Sequence, residues 1–90
     1  MRTLIKDIIK NLGKEVEING FVQVIRDQGS IKFLIIRDIS GIIQVVITKD
    51  KKDALETVSR LSHESVVTIT GLAKEEKQAP GGFEIAAETI

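Results

Sequence analysis

The sequence predicts an all-β domain with a small amount of helix, folded as a five-stranded Greek-key barrel. Ile and Val dominate an apolar content of 42%, whereas aromatic residues make up only 3%. Such β-branched side chains fit pleated strands better than helices. Most segments alternate apolar and polar residues with a period of two, and turn residues separate them. Ninety residues allow one hydrophobic core, so we expect a single domain over residues 1–90.

A short amphipathic helix is predicted over residues 3–12, ahead of the strands. Apolar residues recur there at the spacing of one helical face, and they are Leu4, Ile5, Ile8, Ile9 and Leu12. Thr3 is the expected N-cap of this helix, and Gly13 is placed to end it.

The first strand is predicted to begin at Glu15, where the period changes to two. Its core face is expected to carry Val16, Ile18, Val22 and Val24. Gly20 interrupts this strand, and an isolated Gly in a strand indicates a bulge or a sharp bend. Residues 27–30 then form a turn with the sequence Asp-Gln-Gly-Ser.

The remaining sixty residues are predicted to form four more strands and a second helix. The expected elements are, in chain order, strand 31–37, turn 38–41, strand 42–48, helix 50–61, strand 65–73, polar loop 74–80 and strand 82–90. The helix has one apolar face, formed by Ala54, Leu55, Val58 and Leu61. Either Asp50 or Asp53 is expected to cap its start.

This order of elements is that of the OB-fold, in which three meandering strands, a helix and two further strands close a barrel. A ferredoxin-like domain needs a helix between its first two strands, and residues 27–30 leave no room for one. An SH3-like barrel lacks the helix between the third and fourth strands. We therefore predict an OB-fold with an N-terminal leader helix.

Composition excludes several classes of site. The absence of Cys excludes disulfides, thiolate metal sites and a Cys nucleophile. The single His, His63, is expected in a turn and cannot by itself build a His-based metal site or a catalytic triad. No apolar run approaches the roughly 20 residues of a membrane helix, and the charged N-terminus does not resemble a signal peptide. We expect a cytoplasmic domain without catalytic residues, metal or cofactor.

Phe33 and Gln44 depart from the aliphatic pattern of two neighbouring strands. OB-folds bind ligands across the face of strands 2 and 3, where both residues lie. If the alternating aliphatic residues face the core, both side chains face outward and place a stacking ring beside an amide that reads a base edge. This combination indicates single-stranded RNA. Because Ile35 shares the parity of Phe33, the pattern alone is equally compatible with a core Phe33.

Three charged residues accompany this pair. Arg26 ends the first strand, where its guanidinium could reach a base or a phosphate or could instead pair with Asp27 in the turn. Asp38 is expected to accept turn amides. Glu84 could accept from a base amino group, although a lone strand Glu is more often a surface residue. Thirteen basic and thirteen acidic residues cancel, which argues against a non-specific binder held by phosphate neutralisation.

Several short patterns together resemble a known family. They are Arg2-Thr3, Gly20-Phe21-Val22, Arg26-Asp27-x-Gly29-x-x-x-Phe33, Arg37-Asp38-x-x-Gly41-x-x-Gln44 and Gly82-Phe83-Glu84-Ile85. Over nearly the whole chain they resemble the N-terminal anticodon-binding domain of aspartyl-tRNA synthetases, a class IIb group. Asparaginyl-tRNA synthetases share this domain. The family commonly has Trp where Phe21 stands, a difference that we expect to affect packing only.

The resemblance implies a role for each candidate residue. Phe33 would stack on the middle anticodon base, a uridine, and Gln44 and Arg26 would hydrogen-bond that base. Glu84 would help to read the first anticodon position. The implied partner is the tRNA for aspartate, and for asparagine in some members.

The resemblance also implies a parent enzyme, a homodimeric aminoacyl-tRNA ligase that uses ATP and Mg. The family's catalytic domain is missing from these residues, so we expect a fragment or excised domain that is not an enzyme by itself and is a monomer. Two alternatives remain open from the sequence. One is a non-specific single-stranded nucleic-acid-binding OB domain, and the other is an OB scaffold that binds protein partners.

Overall fold

The computed structural model describes residues 3–62 and 65–90, and the positions of His63 and Arg2 lie outside this part of the chain. The main elements are, in chain order, β1 (Glu15–Gln28), β2 (Ile31–Asp38), β3 (Gly41–Ile47), α1 (Lys52–Ser59), β4 (Val66–Glu75) and β5 (Phe83–Thr89). The strands close into a barrel in the order β1-β2-β3-β5-β4, with β3 and β5 parallel and the other pairs antiparallel. With α1 between β3 and β4, this topology confirms the predicted OB-fold.

The barrel interior is packed with aliphatic side chains. The largest fully buried ones are Ile8, Ile18, Val22, Leu34, Ile36, Val45, Ile47, Ile69 and Ile85. Burial of each such side chain stabilises the fold by roughly 1.5–3 kcal/mol relative to exposure. Because Leu34 and Ile36 occupy the interior, the side chains that alternate with them on β2, Phe33 and Ile35, must face outward.

β1 serves two partners, since its first half pairs with β4 and its second half with β2. The exchange occurs at Gly20 and Phe21, where the strands cross closely. A Cβ atom on Gly20 would lie 2.6 Å from the carbonyl oxygen of Arg37 and 2.7 Å from Cγ2 of Ile36. Only Gly allows this approach, so the Gly marks the point where β1 changes partner.

A β-bulge lies at Gln23 rather than at Gly20. Val22 pairs with Ile36 and Val24 with Ile35, so Gln23 is the extra residue of the longer strand. The prediction that Val24 shares the core face with Val22 is therefore wrong. One inserted residue reverses the alternation of faces beyond it, which turns Val24 outward.

The same reversal decides where Arg26 points. Ile25 takes the inward position after the bulge and packs against the core. Arg26, one residue later, consequently lies on the outer face of the sheet. Without the bulge, strand alternation would have directed Arg26 toward the interior.

The leader helix is a 3-10 helix over Ile5–Asn11, shorter than the predicted residues 3–12. With three residues per turn, Ile5 and Ile8 align and are buried, whereas Ile9 is displaced and 56% exposed. The expected placement of Ile9 on the apolar face is thus wrong. Gly13 follows the helix with φ of 81°, which confirms its predicted role in ending it.

The start of the leader helix is capped by a distant turn and not by Thr3, which makes no side-chain cap. The carboxylate of Asp38 accepts a hydrogen bond from the Ile5 amide at 2.8 Å. The same carboxylate accepts from the amides of Ser40 at 2.7 Å and Gly41 at 3.1 Å, which confirms the predicted role of Asp38 in the turn. Asp38 therefore ties the leader helix to the β2–β3 turn.

Burial opposes ionisation of Asp38, but hydrogen bonds outweigh it. The Ser40 hydroxyl donates at 2.6 Å, and the backbone amides of Ile5, Ser40 and Gly41 donate as well. Together these donors hold the pKa of Asp38 below its ordinary value.

Other boundaries also differ from the sequence prediction, and β4 runs to Glu75 where a loop was predicted from residue 74. β1 extends to Gln28, which shortens the predicted four-residue turn to Gly29 and Ser30, with Gly29 at φ of 72°. α1 is shorter than the predicted helix over residues 50–61. Neither Asp50 nor Asp53 caps it with its side chain, and the Asp50 carboxylate accepts from the Thr48 hydroxyl instead. No helix within residues 3–62 and 65–90 is long and apolar enough to cross a membrane.

Candidate nucleic-acid interface

The outer faces of β1, β2 and β3 form an open groove of about 480 Å³. Its lining residues are Gln23, Val24, Arg26, Gln28, Phe33, Ile35, Ile42, Gln44, Gln78 and Pro80. Three of the four predicted site residues, Phe33, Gln44 and Arg26, therefore share one surface. The prediction that Phe33 and Gln44 both face outward is confirmed.

Strand register sets the spacing of these side chains. Arg26 lies directly opposite Phe33 on the neighbouring strand, and Ile35 lies directly opposite Gln44. Phe33 and Gln44 are therefore diagonal neighbours, a relation that separates residues by roughly 7–8 Å in antiparallel sheets. A flat ring stacked on Phe33 would lie within reach of the Gln44 amide on one side and the Arg26 guanidinium on the other.

Arg26 is the one charged residue that lines the groove within the described chain. It is exposed, and it forms no salt bridge with any residue of 3–62 or 65–90. The alternative of an Arg26–Asp27 pair is wrong, because Asp27 lies 3.8 Å from the ammonium of Lys32, its cross-strand neighbour. The guanidinium donors of Arg26 thus remain available to a ligand.

Glu84 is buried, which corrects the expectation of a surface residue. It is 4% exposed and lies beside Gln44 on the parallel neighbouring strand. Its Oε1 accepts a hydrogen bond from Nε2 of Gln44 at 2.9 Å, and its Oε2 lies 3.2 Å from Nζ of Lys74. The carboxylate is therefore engaged on both sides, and Glu84 is not among the lining residues of the groove.

The groove contains three glutamines that the sequence analysis did not single out, Gln23, Gln28 and Gln78. Gln28 carries a local signal, since it lies two residues after Arg26 on the same face. Gln23 follows the buried Val22, so strand alternation alone already turns it outward. Gln78 belongs to the β4–β5 loop, whose path no periodicity predicts. Amide side chains carry donors and acceptors without net charge, so the groove suits neutral polar edges.

A second depression lies apart from this groove. Leu4, Phe21, Arg37, Ile39 and Val66 are among its lining residues. Phe21 is 38% exposed there and Ile39 is 96% exposed. Among the described residues, no side-chain hydrogen bond joins two residues that line this depression. The described residues also hold no group of His, Cys, Asp and Glu side chains arranged to bind a metal ion.

Comparison with known proteins gives a consistent set of relatives. Residues 16–90 match the tRNA anti-codon family, described as an OB-fold nucleic acid binding domain. An aspartate–tRNA(Asp/Asn) ligase of Methanopyrus kandleri is 40% identical over 80 residues, which cover 87% of this chain and 19% of the ligase. The chain therefore spans about a fifth of the length of such ligases.

Two solved structures resemble the fold closely. The asparaginyl-tRNA synthetase of Pyrococcus horikoshii, complexed with asparaginyl-adenylate, gives a TM-score of 0.90 at 32% identity, covering 99% of this chain and 21% of the synthetase. OBody AM1L10, bound to hen egg-white lysozyme, gives a TM-score of 0.80 at 29% identity, covering 98% of this chain and 89% of the OBody. The fold thus occurs both within synthetases and as a separate protein-binding domain.

Proposed function

This chain belongs to the tRNA anti-codon family of OB-fold nucleic acid binding domains, and we propose that it reads the anticodon of the aspartate tRNA. In this proposal it serves an aminoacyl-tRNA ligase that uses ATP and Mg and that also accepts the asparagine tRNA. The ligand is the single-stranded anticodon loop, whose unstacked bases offer both faces and edges. The domain would work in the cytoplasm, where tRNA is aminoacylated.

One observation carries the proposal, which is the meeting of Phe33, Gln44 and Arg26 in one groove. The Phe33 ring would stack on the middle base, an interaction worth about 1–3 kcal/mol per base. The Gln44 amide would bond the edge of a uridine, whose N3–H donor lies between two carbonyl acceptors. Arg26 would donate to one of those carbonyls from the opposite side.

The charge of the groove supports base reading over backbone binding. Among the described lining residues a single charged one, Arg26, accompanies four glutamines, and the whole chain has no net charge. A domain held mainly by phosphates needs several Lys or Arg contacts. We infer that this domain contributes specificity, and that the parent enzyme contributes the remaining tRNA contacts.

The proposal is tested by titrating the chain with anticodon hairpins at one physiological salt concentration. Hairpins with anticodons GUC and GCC differ only in the middle base. We expect the GUC hairpin to bind more tightly by roughly 5- to 150-fold, the range of one well-placed base contact. Equal binding of both hairpins would contradict anticodon reading and leave a general single-strand binder. A GUU hairpin then compares the asparagine anticodon with the aspartate anticodon.

A protein-binding role is the second candidate. It is favoured by the OBody relative, whose structural match covers 98% of this chain and which is bound to lysozyme. The exposed apolar side chains of Phe21, Ile39 and Val66 would suit such a partner. This candidate predicts no binding of any hairpin, and the same titrations therefore decide between the two.

A further inference from the structure

The Gln44 amide lies at the end of a row of three polar side chains across the barrel surface, followed by Glu84 and Lys74. Ile35, Gln44, Glu84 and Lys74 are successive cross-strand neighbours on β2, β3, β5 and β4. Nε2 of Gln44 donates to Oε1 of Glu84 at 2.9 Å, and Nζ of Lys74 lies 3.2 Å from Oε2. Glu84 is 4% exposed, so water does not compete freely for its oxygens.

A glutamine amide is ambiguous unless something orients it. Half a turn about its last side-chain bond exchanges the carbonyl oxygen, which accepts, with the amino group, which donates. An ionised carboxylate can only accept. Glu84 therefore requires the amino group of Gln44 on its side. The reversed amide would place two oxygens against each other in a buried site, where an unpaired polar contact is costly.

The oriented amide presents a defined pattern to the groove. Its Oε1 and its second N–H have no partner within residues 3–62 and 65–90, which leaves one acceptor beside one donor. Uridine offers the complement, an N3–H donor beside the O4 acceptor. In a cytidine held in the same place by stacking on Phe33, these two positions carry the inverse, an N3 acceptor and the N4 amino donor, so both contacts would be repulsive.

We propose that Glu84 is a positioning residue that orients the Gln44 amide and thereby makes the groove select uridine over cytidine. This inference rests on the proposed anticodon reading. It assigns Glu84 to the middle base through Gln44, and not to direct contact with the first base. The exposed Lys74 supports the carboxylate from the other side but does not set the amide orientation.

The informative variant is Glu84→Gln, which keeps the shape of the side chain. Lys74 has only donors, so it would attract the new carbonyl oxygen of residue 84 and leave the new amino group facing Gln44. Gln44 would then have to turn its own oxygen toward residue 84 and present its amino group to the groove. The expected result is an inverted preference, with the GCC hairpin bound more tightly than the GUC hairpin.

The size of the expected change in the GUC-to-GCC affinity ratio is set by the two hydrogen bonds between the Gln44 amide and one base edge. We expect the GUC-to-GCC affinity ratio, roughly 5 to 150 in the wild-type chain, to fall below 1 in Glu84→Gln, because the reversed amide favours cytidine. Two matched controls should keep the wild-type ratio. Glu88→Gln makes the same chemical change on the same strand outside the groove. Lys74→Met removes the ion pair but leaves the carboxylate to accept from Gln44.

The outcomes separate this inference from the proposed function. No preference for GUC in the wild-type chain would contradict anticodon reading itself. A wild-type preference that persists in folded Glu84→Gln would overturn the positioning role alone. Changed preference for the first anticodon base with an unchanged GUC-to-GCC ratio would also overturn it, since that result indicates direct reading by Glu84.

A second variant serves if Glu84→Gln does not fold, which the absence of a cooperative melting transition would show. Glu84→Asp keeps the charge and withdraws the carboxylate from Gln44 by one methylene, about 1.5 Å. The amide is then less strongly oriented, and we expect a reduced GUC-to-GCC ratio without inversion. A folded Glu84→Asp protein with the wild-type ratio would overturn the inference.

Discussion

Replacement of Phe33 by Ala tests the proposed interface most directly. The side chain lies on the outer face of β2, opposite Arg26 and Val46, and lines the groove. Its removal deletes the one aromatic platform of the groove, a loss of about 1–3 kcal/mol of stacking. The dissociation constant for a GUC hairpin should therefore rise by roughly 5- to 150-fold.

The same variant should remain folded. A core Phe→Ala change costs about 3–5 kcal/mol because it leaves a cavity. Phe33 instead loses cross-strand contacts on the outer face, which are worth about 1 kcal/mol or less. Fluorescence anisotropy with a labelled hairpin measures the affinity, and circular dichroism melting measures the fold.

Phe21→Ala is the matched control for this experiment. It makes the same chemical change at a Phe that is 38% exposed and lines the separate second depression. We expect its hairpin affinity to stay within about twofold of wild type, well below one stacking interaction. The reasoning would be refuted by a folded Phe33→Ala protein that binds as tightly as wild type, or by an equal loss in Phe21→Ala.

Three further predictions concern the bend, the Asp38 turn and salt. Gly20→Ala should destabilise the domain by about 1–3 kcal/mol in urea unfolding, because its Cβ would lie 2.6 Å from the Arg37 carbonyl oxygen. Asp38→Asn should cost about 1 kcal/mol at pH 7, since the ionised carboxylate caps the leader helix and the turn. Its pKa is lowered in the folded state, so this contribution is present above the ordinary value of 3.8 and is lost as pH falls through the lower folded pKa. Hairpin affinity should depend weakly on salt, with a log–log slope of magnitude below about 2, because Arg26 is the one charge lining the groove in the described chain.

Each of these predictions has an outcome that contradicts it. Val66 is 82% exposed, so Val66→Ala should change stability by less than about 0.5 kcal/mol, and an equally small effect of Gly20→Ala would refute the close crossing. A stability deficit of Asp38→Asn that stayed constant from pH 7 to pH 2 would refute the role of the ionised carboxylate. A salt slope of magnitude about 4 or more would indicate binding through phosphates.

The fold could be predicted from the sequence because its signals are local. The two-residue alternation on either side of Phe33, the turn at Asp38 and the helical spacing of Ala54 and Val58 each involve neighbours in the chain. The order of these elements then allowed few barrel topologies. The same alternation left a core Phe33 equally possible, and the family resemblance is what predicted that Phe33 faces outward beside Gln44.

Sequence alone determined the element order and the barrel. Only the tertiary structure decided that a bulge at Gln23 turns Arg26 outward, that Asp38 caps a leader helix 33 residues earlier, and that Glu84 is buried against Gln44. The physical reason is that these features depend on pairing between distant strands. Alternation along one strand reports which face a residue takes relative to its neighbours. It carries no information about the bulge at Gln23, which depends on pairing with β2. Nor does it show that β5 places Glu84 beside the Gln44 amide, 40 residues away in the chain.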